Sequence, residues 1–177
     1  MRSNNKRDEI LQAALRVVED QGVNRLTIDA VAAESGFSKG GVLYHFASKK
    51  ALLAGMTKYQ VELYRSRIDA YRLDNRGAGT LAAALHSRDS MTPGDRQALM
   101  ALLAGVAEDP GLLSPARELM TELYEETVGE NADADEATLL FLANEGLRFL
   151  DLLGLNPLTE KRTADIGKYL RQKAGAD

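Results

Sequence analysis

Between Thr27 and Lys50 the chain spaces a set of hydrogen-bonding side chains that share one use. Ser38, Lys39, Tyr44, His45, Lys49 and Lys50 carry hydroxyl, ammonium, phenol and imidazole groups, donors suited to phosphate oxygens and the edges of bases. No pattern around them sets up a nucleophile or a general base, so the chemistry they offer is binding. His45 taken alone reads as a satisfied structural histidine; inside this constellation it reads as a phosphate contact.

Two short helices around a tight turn must position these groups. Thr27 stands before the apolar-periodic Ile28, Val31 and Ala32, where its hydroxyl can accept from an unpaired first-turn amide. Asp29 suits the positive end of that helix. Gly36 falls where a left-handed C-terminal cap requires glycine, which ends the first helix near Ser35. Phe37 plugs the turn and Ser38 caps the second helix, Lys39 to about His45. A loop this short forces a steep inter-helix angle. Val42 and Phe46, four apart, face the core and leave Lys39, Gly41 and His45 turned outward, with Tyr44 at the edge of that face. Gly40 and Gly41 read either as a permissive helix start or as room for close approach to a nucleic-acid groove.

The run Gly36-Phe37-Ser38-Lys39-Gly40-Gly41-Val42-Leu43-Tyr44-His45-Phe46, followed by Ser48-Lys49-Lys50-Ala51-Leu52-Leu53, resembles the hallmark of the TetR family of bacterial transcriptional regulators. The resemblance covers residues 6–55 and implies that Thr27, Ser38, Lys39, Gly40 and Gly41 lie at or near the DNA major groove while Tyr44, His45 and Lys49 hold backbone phosphates. It implies an all-α protein with an N-terminal three-helix helix-turn-helix domain and a larger helical domain for ligand binding and dimerisation.

Charge is distributed to match. The net charge is −4, yet residues 1–67 hold 11 Lys or Arg against 7 Asp or Glu, and the remainder 11 against 19. The basic part coincides with the motif, a polarity that would draw this end toward phosphate. The acidic remainder argues against a sequence-indifferent architectural DNA binder. With two histidines and no cysteine, a dense His/Cys metal site is excluded, no glycine-rich phosphate loop follows a strand, and no cofactor is expected. The chain does not read as an enzyme. Its start, MRSNNKRDEI, has no apolar stretch of a signal peptide, and no apolar run nears the roughly 20 residues that span a membrane; a cytoplasmic protein with a basic arm at residues 2–7 is expected.

Helical periodicity runs throughout. A first helix over Lys6–Asp20 presents Ile10, Leu11, Ala14, Leu15 and Val18, with Gly22 beyond it. A long helix over Ala51–Tyr71 connects the motif to the C-terminal part of the chain and reads as a lever. Breaks at 75–79 and 91–94 bound a short helix, Thr80–His86. Thr92 with Pro93 opens a largely buried helix to Glu108. Asp109-Pro110-Gly111 stops it, and Ser114-Pro115 caps another to Val128. Ala134–Leu153 is apolar on several faces, and Thr159–Lys173 closes the set. About nine helices are expected, with residues 1–50 as the DNA-binding domain and 51–177 as the ligand-binding and dimerisation domain.

The resemblance also implies that the last two long helices pair with their copies in a homodimer. Leu139, Leu142, Gly146, Leu147 and Leu150 form a stripe suited to that, as do Ile166, Tyr169 and Leu170; an ordinary intrachain core is the alternative. A dimer requires a near-palindromic operator with half-sites about 34 Å apart. A small-molecule inducer is implied within the C-terminal part. Met91, Met100, Leu103, Phe141, Glu145 and Arg148 are candidate walls, since thioethers and a ring beside a few charges suit an apolar pocket. The expected function is a repressor released by inducer, with an activator or a ligand-insensitive regulator as the alternative.

Overall fold

A computed structural model describes residues 2–175, with side chains described for 6–106 and 109–175. Among the described residues there are nine α-helices and no strand: α1 (Arg2–Gln21), α2 (Ile28–Ser35), α3 (Lys39–His45), α4 (Lys49–Asp74), α5 (Thr80–Asp89), α6 (Pro93–Glu108), α7 (Ser114–Gly129), α8 (Ala134–Leu152) and α9 (Glu160–Lys173). Short 3-10 turns lie at Val23–Arg25 and Pro110–Leu113. No helix among these residues is long and apolar enough to cross a membrane.

The chain divides into two compact units. One comprises the residues up to Glu62 together with Thr92–Ala116; the other comprises Leu63–Met91 and the chain from Arg117 onward. In the first, α1 buries Ile10, Leu11, Ala14, Val17 and Val18, a three- and four-residue spacing that puts them on one helix face. Against it pack Val31 of α2, Val42 of α3, Phe46, Leu52 and Met56 of α4, and Ala101 and Leu102 of α6. Gly55 permits the closest approach in this core, because a Cβ there would lie 2.5 Å from Cε1 of the buried Phe46 ring.

In the second unit, α5 is buried over Thr80–Leu85, and Leu81 and Leu85 form an apolar cluster with Leu140, Leu147 and Leu170. A buried helix start needs acceptors for its free amides, and Gly79, the N-cap, has no side chain to supply one. Glu130, just past the end of α7, supplies it instead: its Oε2 accepts from the Thr80 amide at 2.6 Å while Oε1 accepts from Arg72 Nη2 at 2.8 Å. Thr80 Oγ1 accepts from Arg72 Nη1 at 3.0 Å and donates to Glu126 Oε2 at 2.9 Å. Arg65 Nη2 closes the network on Glu126 Oε1 at 2.8 Å.

Several local expectations change. Helix α1 begins at Arg2, so the segment expected to be a basic arm is helical in its backbone. Helix α5 runs on to Asp89. Ser114 does not cap α7 from outside; it already has helical angles (φ −52°, ψ −48°) because the preceding 3-10 turn winds directly into the helix. Helix α6 is one-sided rather than largely buried: Ala98, Ala101 and Leu102 are inside, while Met100 is 44% exposed.

The acidic network gives a pH dependence. Burial by itself would raise the Glu126 carboxyl, but hydrogen bonds from Arg65 and Thr80 and the charges of Arg65 and Arg72 hold it below its ordinary range. Its stabilising effect is therefore complete above the unfolded value, about 4.3, and is lost as pH falls through the lower folded value. Urea midpoints should be flat from neutrality down to about pH 5 and then decline. Glu126→Gln should be less stable at neutral pH and decline less steeply; an identical acid slope would remove Glu126 from this role.

Candidate nucleic-acid interface

The turn and recognition helix are built by side chains that cap the backbone. Thr27 Oγ1 accepts from the Ala30 amide at 3.1 Å at the start of α2, and Gly36 ends that helix in the left-handed region at φ 72°. Ser38 Oγ accepts from the Gly41 amide at 3.1 Å and opens α3. Ser48 Oγ does the same for α4, accepting from Ala51 at 3.1 Å. A seven-residue helix is too short to persist in isolation, so α3 is held by these caps and by Val42 and Phe46, both buried. The Arg7 guanidinium lies 5.2 Å from the Phe46 ring centroid and ties α1 to the end of α3.

What α3 leaves outside is its polar face. Lys39 and Gly40 are exposed, Tyr44 is 85% exposed, and His45 is half-buried, its ring edge-on to Tyr44 with centroids 5.1 Å apart. The two glycines separate into different roles. A Cβ at Gly40 would meet nothing within 4 Å, whereas one at Gly41 would lie 3.3 Å from Ser38 Oγ, the capping atom. Gly41 thus serves the cap, while Gly40 leaves open surface at the helix N-terminus.

The cations around the motif are unequal. Lys49 is exposed and has no ion-pair partner among the described residues. Lys50 pairs with Asp109 at 3.0 Å, and that hydrogen bond, with one from the Gly111 amide, lowers the Asp109 carboxyl. Arg16 pairs with Glu34 at 2.6 Å, and Lys39 with Asp29 at 2.9 Å. The ten-residue separation of Asp29 and Lys39 hides in the sequence a proximity that only the turn creates.

In the second unit the expected ligand walls separate. Phe141 and Glu145 are buried on α8, and Arg148 Nε and Nη2 donate to Glu145 Oε2 at 2.8 and 2.5 Å. Asn144 Nδ2 donates to Glu145 Oε1 at 3.1 Å, and the Arg148 guanidinium lies 5.3 Å from the Tyr64 ring. Met91 belongs to this unit but is half-buried, while Met100 and Leu103 belong to the first unit. The six residues expected as one wall are therefore not gathered in one compact unit. Sequence reasoning passed over Tyr64 and Asn144, whose Oη and Oδ1 are buried without a hydrogen-bond partner. Burial first, then the Glu145 charge, pushes the Tyr64 phenol above its ordinary range, so it is a neutral donor at physiological pH.

Helix α8 carries two stripes. Leu140, Asn144 and Leu147 are buried within the chain. Leu139 (67% exposed), Leu142 (58%), Gly146, Phe149 and Leu153 lie outside at an alternating three- and four-residue spacing. Leu147 and Leu170, expected at a subunit interface, belong to the intrachain cluster with Ile166 packed on it, and Leu150 is half-buried. Tyr169 is exposed.

A capped helix-turn-helix on an all-helical body defines the class: a DNA-binding transcriptional regulator. Residues 10–56 match the family model for bacterial regulatory proteins of the tetR family, and residues 77–174 match that for the tetracyclin repressor-like C-terminal domain. The chain belongs to the TetR family. It is 32% identical over 65 residues to the uncharacterized HTH-type transcriptional regulator YerO of Bacillus subtilis (strain 168), spanning 37% of this chain and 22% of that protein. It is 35% identical over 69 residues to the nucleoid occlusion factor SlmA of Vibrio atlanticus (strain LGP32), spanning 38% of this chain and 35% of that one. The chain thus spans only about a fifth to a third of the curated relatives it matches.

Among solved structures, the multidrug binding protein EbrR complexed with ethidium superposes with a TM-score of 0.67 at 24% identity, over 93% of this chain and 98% of that one. A TetR-family member from Streptomyces coelicolor A3, SCO1917, gives 0.66 at 23%, over 93% and 97%. At such identities the likeness is one of fold.

Caps and glycines yield a stability contrast. Ser38→Ala should cost about 1 kcal/mol in thermal or urea unfolding, the usual loss for an N-cap hydroxyl. Gly40→Ala, in open space, should be neutral or stabilising by up to about 1 kcal/mol. Destabilisation by Gly40→Ala would show that the glycine serves the fold.

Proposed function

We propose that this regulator is a homodimeric repressor that binds a near-palindromic operator and leaves it when a small molecule binds the C-terminal part. The observation that carries the reading is the capped, solvent-facing N-terminus of α3, which presents Lys39 and Gly40 outward beside Tyr44, His45 and Lys49, the last without an ion-pair partner among the described residues. In this reading Thr27, Ser38, Lys39, Gly40 and Gly41 meet the major groove, and Tyr44, His45 and Lys49 hold phosphates. Residues 1–50 read DNA; residues 51–177 sense the effector and dimerise. Acting on the chromosome, the protein works in the cytoplasm.

The outer stripe of α8 supports dimerisation, since exposed leucines at coiled-coil spacing with an open glycine among them suit a second helix. Tyr64, Phe141, Asn144, Glu145 and Arg148 are the effector site in this reading. Each buried polar group without a partner costs roughly 1–3 kcal/mol, and a small molecule that bonds Tyr64 Oη and Asn144 Oδ1 recovers part of it. The solved EbrR complexes with ethidium and imidazole are precedents for small molecules on this fold. Effector release needs a coupling of about 1–3 kcal/mol, and α4, continuous across 26 residues or about 39 Å, is the element suited to carry it.

Selection of fragmented host genomic DNA on the purified protein, with excess competitor, should enrich an inverted repeat. On that duplex Lys49→Ala should weaken all sequences alike, Lys39→Ala should shift the preferred bases, and Gly40→Ala should weaken binding despite its intact fold. No enrichment by a folded dimer would contradict the reading. Sedimentation at micromolar concentration should show a dimer, and Leu142→Glu should yield a folded monomer with much weaker operator binding. A monomeric wild type would remove the palindromic operator from the account.

A further inference from the structure

We propose that Asp29 is a specificity-determining residue that holds Lys39 away from phosphates and lets it bond base edges. The inference rests on α3 being the DNA-reading helix. Lys39 Nζ lies 2.9 Å from Asp29 Oδ1 and 3.0 Å from Oδ2, so one ammonium engages both carboxylate oxygens. Asp29 sits in the first turn of α2 and Lys39 is the first residue of α3, directly after its Ser38 cap. The pair therefore stands at the end of the recognition helix that addresses a groove, and Gly40 beside it has no side chain to screen it.

Stability does not account for the pair. The Lys39 and Asp29 side chains are 60% and 69% exposed, and ion pairs in water of this kind contribute little to folding. Its effect on what α3 can bind is larger. A free lysine at this position binds any phosphate, which is the sequence-independent part of DNA affinity. A lysine joined to a carboxylate presents donors and acceptors side by side. Phosphate oxygens are acceptors only and are repelled by Asp29. A C·G pair in the major groove offers guanine O6 and N7 as acceptors and cytosine N4 as a donor, so the ammonium and the carboxylate can both be satisfied there. Lys49, exposed and without such a partner among the described residues, is left for the phosphates. Lys39 is thus held for bases, while Lys49, with no carboxylate beside it among the described residues, is left for the backbone; Lys50 is taken up by Asp109.

The test is the salt dependence of DNA binding by the full chain, wild type and Asp29→Asn, between about 50 and 200 mM salt. Two duplexes are used: the inverted repeat recovered by genomic selection and a scrambled duplex of equal length. Releasing Lys39 to a phosphate should steepen the log–log slope on scrambled DNA by about 0.9 per recognition helix engaged. Affinity for the scrambled duplex should rise, and discrimination between the two duplexes should fall about tenfold, within the range of one lost base contact. In a Lys39→Ala background, Asp29→Asn should change neither slope nor discrimination. Equal changes in both backgrounds would mean that Asp29 merely repels DNA, and would overturn the proposal. So would a selective wild type whose Asp29→Asn variant, folded by circular dichroism, has the same slope. A wild type that binds no duplex would overturn the functional reading and this inference with it.

Discussion

Burial of Val42 and Phe46 is the constraint on which the proposed DNA-reading surface depends. Seven residues, two of them adjacent glycines, make a helix that water would unfold. Docked against Ile10, Leu11, Leu52 and Met56, the same residues hold one orientation, and the side chains between them can point only outward. The caps complete this, since Thr27, Ser38 and Ser48 each satisfy an amide that would otherwise be left open in a tight turn. Precision at the surface is thus set by apolar contacts beneath it and by hydroxyls that do not themselves face the core. Gly55 shows how little slack the core has, for even one methyl group there would collide with the Phe46 ring.

The second unit follows a different logic. The first unit has an apolar core drawn from α1, α2, α3, α4 and α6. The second carries a part-exposed polar network of Arg65, Arg72, Glu126 and Glu130 around the buried Thr80 and, separately, buries the Glu145–Arg148 pair beside Tyr64 and Asn144. Such groups are costly unless every lone pair and proton is met. The first network meets most of them, capping a buried helix with the Glu130 carboxylate from just past the end of α7. The second leaves Tyr64 Oη and Asn144 Oδ1 without partners. Unsatisfied buried polarity of that sort would make a segment responsive to a molecule that can satisfy it, which is the physical basis of the proposed effector binding.

Much of the reading helix was legible because its signals are local. A cap hydroxyl, a glycine at a left-handed position and a four-residue apolar spacing place α2 and α3 to the residue, and the bounds of α6 are set by Thr92 and Pro93 in the same way. Tertiary placement was less so. Nothing in the order of the chain announces that α6 joins α1 in one unit, or that Asp109 reaches Lys50. Leucine periodicity on α8 shows apolar faces without telling the inner stripe from the outer, so Leu147 and Leu139 look alike in sequence although one is buried and the other exposed. The flexibility of a methionine says nothing about its address, and Met91 and Met100 lie in different compact units. Asp29 was legible as a favourable first-turn charge, yet its pairing with Lys39 depends on the fold of the turn between them.

In the proposed complex the N-terminus of α3 enters the major groove, once per subunit. Dimethyl sulfate methylates guanine at N7 in that groove, so protection of the selected duplex by the bound protein tests it most directly. Protected guanines are expected in two clusters related by a two-fold axis and about one helical turn apart. Both clusters should lose protection in Lys39→Ala while overall binding persists at low salt. Protection that is uniform along the duplex, confined to one cluster, or absent despite tight binding would contradict it.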